Sequence, residues 1–140
     1  MKKRIPAGLI ICALSVILLF TAVACQEEPE EETDIVNPIE ITISVDYPER
    51  AGIDDVENAE FKIEENSTVM DAIQLYCNVN DMELTVETTG ASVEGINGVE
   101  NGDYFAKRTW QYKINGQLCS EKESEKKLED GDALEWVYQK

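Results

Sequence analysis

The chain has 140 residues, of which 29 are acidic, 12 are basic and none is histidine, so its formal net charge is -17. This excess of negative charge argues against a nucleic acid partner, because binding to a phosphate backbone requires clustered Lys and Arg side chains. The sequence also has no Ser or Cys beside a candidate base, no zinc-ligand spacing and no phosphate-binding loop. We therefore expect a protein that is not an enzyme and that has no catalytic residues and no metal.

The N-terminus has the pattern of a bacterial lipoprotein signal. Three basic residues at 2–4 precede an apolar run at 9–20, and the small residues 22–24 stand directly before Cys25. The apolar run is shorter than the roughly 20 residues that a transmembrane helix needs. We predict that residues 1–24 are a signal peptide and that acylated Cys25 anchors an extracytoplasmic protein to the cell membrane. The alternative is an uncleaved N-terminal anchor, which also leaves the domain outside the cytoplasm.

Residues 25–38 are predicted to be an acidic linker, because closely spaced like charges and prolines favour an extended chain. Removal of the signal would leave nine basic residues against 29 acidic ones. The remaining residues, 39–140, are enough for one small domain.

The hydrophobic pattern of this domain changes period along the chain. Alternation of apolar and polar residues predicts strands at 39–47, 60–64, 83–88, 109–114, 117–119 and 133–139. A period of three and four predicts a helix that starts at the N-cap Thr68, with Asp71 completing a capping box. Segments 48–58 and 89–108 are predicted to be loops, the second with a short extended piece at 93–96. Leu128 is expected to be buried, and Asn115-Gly116 is a strong hairpin signal.

Strands with one polar face each and a single helix to cover the other face predict an α+β protein. We expect a two-layer β-grasp-like domain, in which a mixed sheet of about five strands has one helix packed on one face.

Four motifs resemble those of the transcobalamin C-terminal-like domain found in bacterial surface proteins. They are Thr68-Val-Met-Asp-Ala-Ile73, Ile96-Asn-Gly98, Trp110-Gln-Tyr-Lys-Ile-Asn-Gly116 and the segment from Leu128 to Tyr138 with its Asp-Gly-Asp turn. The resemblance covers residues 39–140. It argues for the fold more strongly than for a ligand.

In animal cobalamin carriers, the similar domain forms one wall of a cobalamin site and a helical barrel forms the other. The resemblance therefore implies a bound corrinoid as the candidate ligand, with Trp110 and Gln111 as contacts. The adjacent glycine-rich loop adds Tyr104 and Phe105 as candidate contacts. This chain has no helical barrel and no histidine to ligate cobalt, so it offers half of such a site.

The aromatic residues of the strands have two interpretations. Trp110, Tyr112 and Trp136 could form a platform that stacks on a flat ligand, or they could belong to the core. Strand alternation favours the core for Tyr112 and Trp136, and it leaves Trp110 between the two.

Two cysteines remain in the predicted exported domain. Cys77 falls on or beside the buried face of the helix, and Cys119 falls on the strand face that the helix would cover, opposite Tyr112. A disulfide between them fits an exported protein. The alternative is two separate thiols.

Two acidic pairs, Asp54 with Asp55 and Asp130 with Asp132, could suggest calcium. Neither has the regular spacing of a calcium loop, and Asp-Gly-Asp suits a tight turn. We therefore expect no calcium at either pair, and a tight turn at Asp130-Gly-Asp132.

Two functions fit the sequence. The first is capture of a small ligand such as a corrinoid by a membrane-anchored binding lipoprotein. The alternative is a protein interaction or cell-surface assembly module without a small-molecule ligand, in which exposed strands meet a protein partner.

Overall fold

The computed structural model of the protein describes residues 36–140. The predicted signal peptide, Cys25 and most of the acidic linker lie outside the described residues and stay predictions. Within this part of the chain, no helix has both the length and the apolar character needed to cross a membrane.

The described residues contain eight strands and one α-helix. The strands are β1 (Pro38–Asp46), β2 (Val56–Glu64), β3 (Leu84–Val86), β4 (Val93–Ile96), β5 (Val99–Glu100), β6 (Thr109–Ile114), β7 (Gln117–Cys119) and β8 (Ala133–Gln139). The helix, α1, spans Val69–Val79, and a short 3-10 turn spans Glu49–Ala51.

The main sheet has five strands in the order β2-β1-β8-β6-β7. Its central pair, β1 and β8, is parallel, and the other neighbours are antiparallel. In the parallel pair, Ile43 lies beside Leu134 and Val45 beside Trp136. The prediction of an α+β protein with a mixed sheet of about five strands and one helix is therefore confirmed.

One hydrophobic core joins the sheet to the helix. Alternate residues of β1 point into it, and Ile41, Ile43 and Val45 are at most 3% exposed. Alternate residues of β8 do the same, as the strand period of two requires. The helix contributes its apolar face, which consists of Val69, Met70, Ala72, Ile73, Tyr76 and Cys77. The apolar residues that the strand and helix periods mark in the sequence therefore lie in the same core.

Helix α1 begins with the predicted capping box. The backbone N–H of Asp71 donates to Oγ1 of Thr68 over 3.2 Å, and the backbone N–H of Thr68 donates to Oδ2 of Asp71 over 2.8 Å. These two bonds satisfy donors that the first turn of a helix leaves without intrahelical partners.

The segment 120–127, which follows β7, supports the same end of the helix. The backbone N–H of Val69 donates to the carbonyl oxygen of Lys126 over 2.8 Å. The next residue after the segment, Leu128, is 3% exposed, and its N–H donates to the carbonyl oxygen of Ser67 over 2.9 Å. The predicted burial of Leu128 is confirmed.

A second, three-stranded sheet in the order β3-β4-β5 differs from the prediction. The extended piece at 93–96 is confirmed, but it pairs with β3 and with β5, which was expected to be loop. The turn between β4 and β5 is Asn97-Gly98, with φ values of +52° and +80°, the same values as in the predicted Asn115-Gly116 turn. The same hairpin chemistry therefore operates twice, because Asn and Gly tolerate positive φ.

Strand β2 is longer than predicted. It begins at Val56, inside the segment 48–58 that was expected to be a loop. Its first residues pair with β1, Val56 with Val45 and Ala59 with Ile43, across an irregularity in the register. Because a bulge of this kind breaks the alternation of side chains, the sequence pattern does not reveal this part of the strand.

The capping box yields a test of helix stability. Replacement Thr68→Ala removes the side-chain acceptor for the first turn and should lower the free energy of unfolding by about 1 kcal/mol in urea titrations. The control is Thr88→Ala, an exposed threonine in the turn after β3. Equal stability losses in the two variants would contradict the role of the cap.

Candidate functional site

The four residues predicted to contact a ligand all belong to β6 and the loop before it. Trp110 and Gln111 lie in β6, and Tyr104 and Phe105 lie in the loop that precedes it. The structure gives them different surroundings, so they do not form one continuous platform.

Trp110 belongs to the core, with only 4% of its surface exposed. Its Nε1–H donates to the carbonyl oxygen of Val99 over 2.7 Å, and its backbone N–H donates to Oδ1 of Asn101 over 2.7 Å. The ring makes edge contacts with Tyr47 and Tyr138, at centroid distances of 5.7 and 5.4 Å. The predicted stacking of a ligand on Trp110 is therefore corrected: the side chain is buried, and its Nε1–H already has a hydrogen-bond acceptor.

Tyr112 and Trp136 confirm the core interpretation. They are neighbours across β6 and β8, with ring centroids 5.6 Å apart, and both are at most 2% exposed. The Tyr112 hydroxyl donates to the carbonyl oxygen of Glu121 over 2.7 Å. Burial, followed by the hydrogen bond to Cys119, raises the pKa of this hydroxyl above its usual value.

Gln111 lies between these buried aromatics in sequence and is half-buried. As the next residue of a strand, it points to the opposite face of the sheet from Trp110 and Tyr112. Strand β7 pairs with β6 only from Tyr112 onward, so the start of β6 borders an open cleft of about 310 Å³. Leu118, which is 56% exposed, lines the same cleft. Gln111 thus supplies an amide that can donate and accept hydrogen bonds beside an exposed apolar side chain.

Tyr104 and Phe105 are also half-buried. Their loop is closed by two backbone hydrogen bonds: Gly102 N–H donates to the carbonyl oxygen of Arg108 over 2.9 Å, and Arg108 N–H to that of Phe105 over 2.8 Å. Two guanidinium groups approach the Phe105 ring, that of Arg108 at 4.2 Å and that of Arg50 at 5.2 Å from the ring centroid. The loop therefore presents an aromatic ring together with positive charge.

A second cleft, of about 330 Å³, opens beside Phe105. Its lining includes Tyr47 and Tyr138, the two rings that contact Trp110. Burial raises the pKa of Tyr47 to about 12, so this side chain is neutral at physiological pH. The cleft is thus formed by the loop on one side and by core aromatics on the other.

The sequence pattern singles out neither Arg50 nor Arg108, although they are the two arginines within residues 36–140. Because arginine is rare in this acidic chain, its rarity could have marked these two residues as candidates for a binding role. Their separation of more than 50 positions gave no indication that they share one aromatic ring.

The predicted disulfide between Cys77 and Cys119 is not formed in the structure, where both are free thiols. Cys77 is buried in the helix, whereas Cys119 is half-buried in the outer strand β7. The predicted register that places Cys119 opposite Tyr112 is confirmed. The Cys119 sulfur lies 3.2 Å from the Tyr112 hydroxyl, so its neighbour is this hydroxyl and not the other sulfur.

The acidic pairs considered as calcium ligands are Asp54 with Asp55 and Asp130 with Asp132. Asp130 Oδ1 accepts from the backbone N–H of Glu40, and Asp132 Oδ2 from that of Glu129, each over 2.8 Å. The bond of Asp132 stabilises the turn, and the bond of Asp130 joins the turn to β1. Across residues 36–140, no three Asp, Glu, Cys or His side chains form a group that could hold a metal ion.

The burial of Trp110 predicts a large effect of its replacement on stability. We expect Trp110→Ala to lower the free energy of unfolding by about 3–5 kcal/mol, as large-to-small changes in a core do. Urea unfolding followed by circular dichroism would measure it. Gln111→Ala is the matched control, because its side chain is outside the core, and it should cost less than about 1 kcal/mol. A small loss for Trp110→Ala would show that the ring is not part of the core.

The two thiols should differ in reactivity. Burial raises the pKa of Cys77 to about 11, so its reactive thiolate is scarce at pH 8, whereas Cys119 is partly accessible. We expect iodoacetamide to label Cys119 in the folded, unreduced protein and both cysteines after unfolding without reductant, as read by peptide mass mapping. If neither cysteine were labelled until the protein was reduced, the prediction of a disulfide would be correct.

Among the solved structures with a similar fold are two that are distant in sequence. One is haptocorrin in complex with Cbi (cobinamide), with a TM-score of 0.57 and 13% identity over 74% of this chain and 26% of the haptocorrin chain. The other is a protein from Ruminococcus gnavus ATCC 29149 to which metal binding has been ascribed, with a TM-score of 0.51 and 14% identity over 73% of this chain and 97% of the other. This chain spans about a quarter of the haptocorrin chain. At these identities the likeness shows the fold.

A comparison with curated protein sequences finds no match. A family model described as a domain of unknown function (DUF4430) matches residues 66–140, which is more than half of the chain. The protein therefore belongs to the DUF4430 family, and its domain is a transcobalamin C-terminal-like domain.

Proposed function

We propose that this protein is an extracytoplasmic binding module that captures a small ligand, with a corrinoid as the candidate. The observation that carries the proposal is the likeness in fold to haptocorrin, which was solved in complex with Cbi, over 74% of this chain. The proposed contacts are Gln111, Tyr104 and Phe105, whose side chains lie outside the closely packed core. Trp110, which is buried, is not among them.

Two separate clefts lie beside the proposed contacts. The 310 Å³ cleft at Gln111 is lined by Trp110, and the 330 Å³ cleft at Phe105 is lined by Tyr47 and Tyr138, whose rings contact Trp110. Each cleft is near the lower limit of the roughly 300–1,000 Å³ typical of small-molecule pockets. Neither cleft by itself would enclose a corrinoid, so a second domain or protein would complete the site.

The lipid anchor, the linker and the β-grasp fold that the sequence predicts are part of the same proposal. Acylated Cys25 and the acidic linker at 25–38 would hold the domain outside the cell membrane, where it would act by binding and not by catalysis. In chain order, a hairpin is followed by the helix and then by the later strands, and the first and last strands are parallel at the centre of the sheet. This arrangement supports a β-grasp fold.

Titration of the purified full chain with cobinamide tests the proposal. Binding should quench tryptophan fluorescence saturably at micromolar ligand, and Gln111→Ala and Phe105→Ala should each weaken binding by about tenfold through lost contacts. The matched control is Gln117→Ala, an exposed glutamine at the far end of the β6–β7 hairpin, which should bind as the unmodified chain does. No saturable change, or equal affinities in all variants, would rule out a corrinoid at this surface.

One observation favours the second candidate, a protein interaction module. Strand β2 is an outer strand of the main sheet, and a cleft of about 530 Å³ beside it is lined by Phe61, Leu75 and Val79. Val79 is 66% exposed. An extended segment of a partner could pair with such an edge and fill the cleft with its side chains. Gln111 and Phe105 lie outside this cleft, so their replacement would leave it intact.

A further inference from the structure

The two arginines of residues 36–140 converge on one aromatic ring. The guanidinium carbons of Arg108 and Arg50 lie 4.2 and 5.2 Å from the centroid of Phe105. Both distances fall within the roughly 6 Å range of cation–π attraction. Stacking on a ring positions a guanidinium but leaves the N–H groups at its edge available to bind an anion in a fork. The ring therefore holds two positive charges close together without neutralising them.

Within residues 36–140, neither arginine forms an ion pair with a carboxylate. The three ion pairs within the described residues all use lysine, and they are Lys62 with Glu40, Lys113 with Glu135 and Lys126 with Glu121. In the same part of the chain, no side-chain hydrogen bond is donated by either guanidinium. The chain has 29 acidic residues, so a shortage of carboxylates does not explain this.

The backbones that carry the two arginines are held by hydrogen bonds. Arg50 is the middle residue of the 3-10 turn Glu49–Ala51, in which the N–H of Ala51 donates to the carbonyl oxygen of Pro48 over 2.8 Å. Arg108 closes the loop that carries Phe105 through its own N–H. A site whose charges are already positioned loses less conformational entropy when a ligand binds.

The cleft beside these arginines determines the class of ligand. The rings of Tyr47, Tyr138 and Pro48 line it and offer apolar surface. We propose that this cleft binds the carboxylate or phosphate group of a small, partly apolar anion through the guanidinium groups of Arg50 and Arg108. The inference goes beyond the proposed function: the two share the loop of Phe105, but the anion site requires no corrinoid.

Two carboxylates limit the charge that the cleft can accept. Asp46 and Glu49 also line it, and each repels an anion. A ligand with one anionic group is therefore favoured over a ligand with several. Because a partly exposed charged site is screened by salt, binding should also weaken as ionic strength rises.

Nuclear magnetic resonance of the full chain, with benzoate and inorganic phosphate as separate probes, tests the proposal. Saturable shifts of the backbone amides at 49–52 and 102–108 are expected with at least one probe. Benzoate alone would identify a carboxylate with an apolar body, and phosphate alone a phosphate group. Arg50→Gln and Arg108→Gln should each weaken binding by about tenfold, because each removes one charge-assisted contact.

Lys107→Gln is the matched control, since it removes one positive charge from the same loop at an exposed residue. It should change affinity less than about twofold, because an exposed charge contributes little. Unchanged amide shifts in the rest of the sheet would show that each variant is folded, and the two arginines lie on different elements, so one variant suffices if the other unfolds. No saturable shift with either probe, or equal weakening by Lys107→Gln and the arginine variants, overturns the proposal.

The two proposals fail independently. Loss of cobinamide binding with retained benzoate or phosphate binding would refute the corrinoid and leave the anion site. Cobinamide binding without any response to the two anions would refute the anion site and leave the corrinoid proposal.

Discussion

The parallel pairing of β1 with β8 is the contact on which the other elements of the domain depend. It places the first and last strands side by side at the centre of the sheet, with Val45 next to Trp136 and both fully buried. Strand β2 pairs with the free edge of β1, and β6 pairs with the free edge of β8. The turn before β8 is also bound to β1, since Gly131 N–H donates to the carbonyl oxygen of Glu40 over 2.8 Å. Because about 90 residues separate the paired strands, this contact is non-local and closes the domain.

The aromatic residues connect this core to the candidate site. On the buried face, Trp110 contacts Tyr138 and Tyr47, and both of these rings extend to the cleft beside Phe105. A rigid core beneath a short, hydrogen-bonded loop keeps the exposed groups in place, which is how loops on a stable scaffold commonly bind ligands. The residues suited to contact are then those outside this packing, and Gln111 is the example from β6.

The charge of the protein acts differently over long and short distances. The chain is strongly acidic overall, which disfavours nucleic acid and anionic surfaces. At physiological ionic strength, exposed charges are screened over about 8 Å. A ligand beside Phe105 would therefore interact mainly with Arg50, Arg108 and the carboxylates of Asp46 and Glu49, and not with the rest of the acidic surface. Local geometry, and not net charge, decides what this cleft can hold.

The sequence by itself determined the elements that depend on neighbouring residues. The alternation of β1, the capping box at Thr68 and the Asn115-Gly116 hairpin all follow from short-range rules, and so does the register that sets Tyr112 opposite Cys119. Only the tertiary structure decided that Trp110 is a core residue, that the two cysteines stay apart, that a second sheet forms and that two distant arginines meet at Phe105. Those features depend on contacts between residues far apart in the chain, and periodicity and spacing carry no information about such contacts.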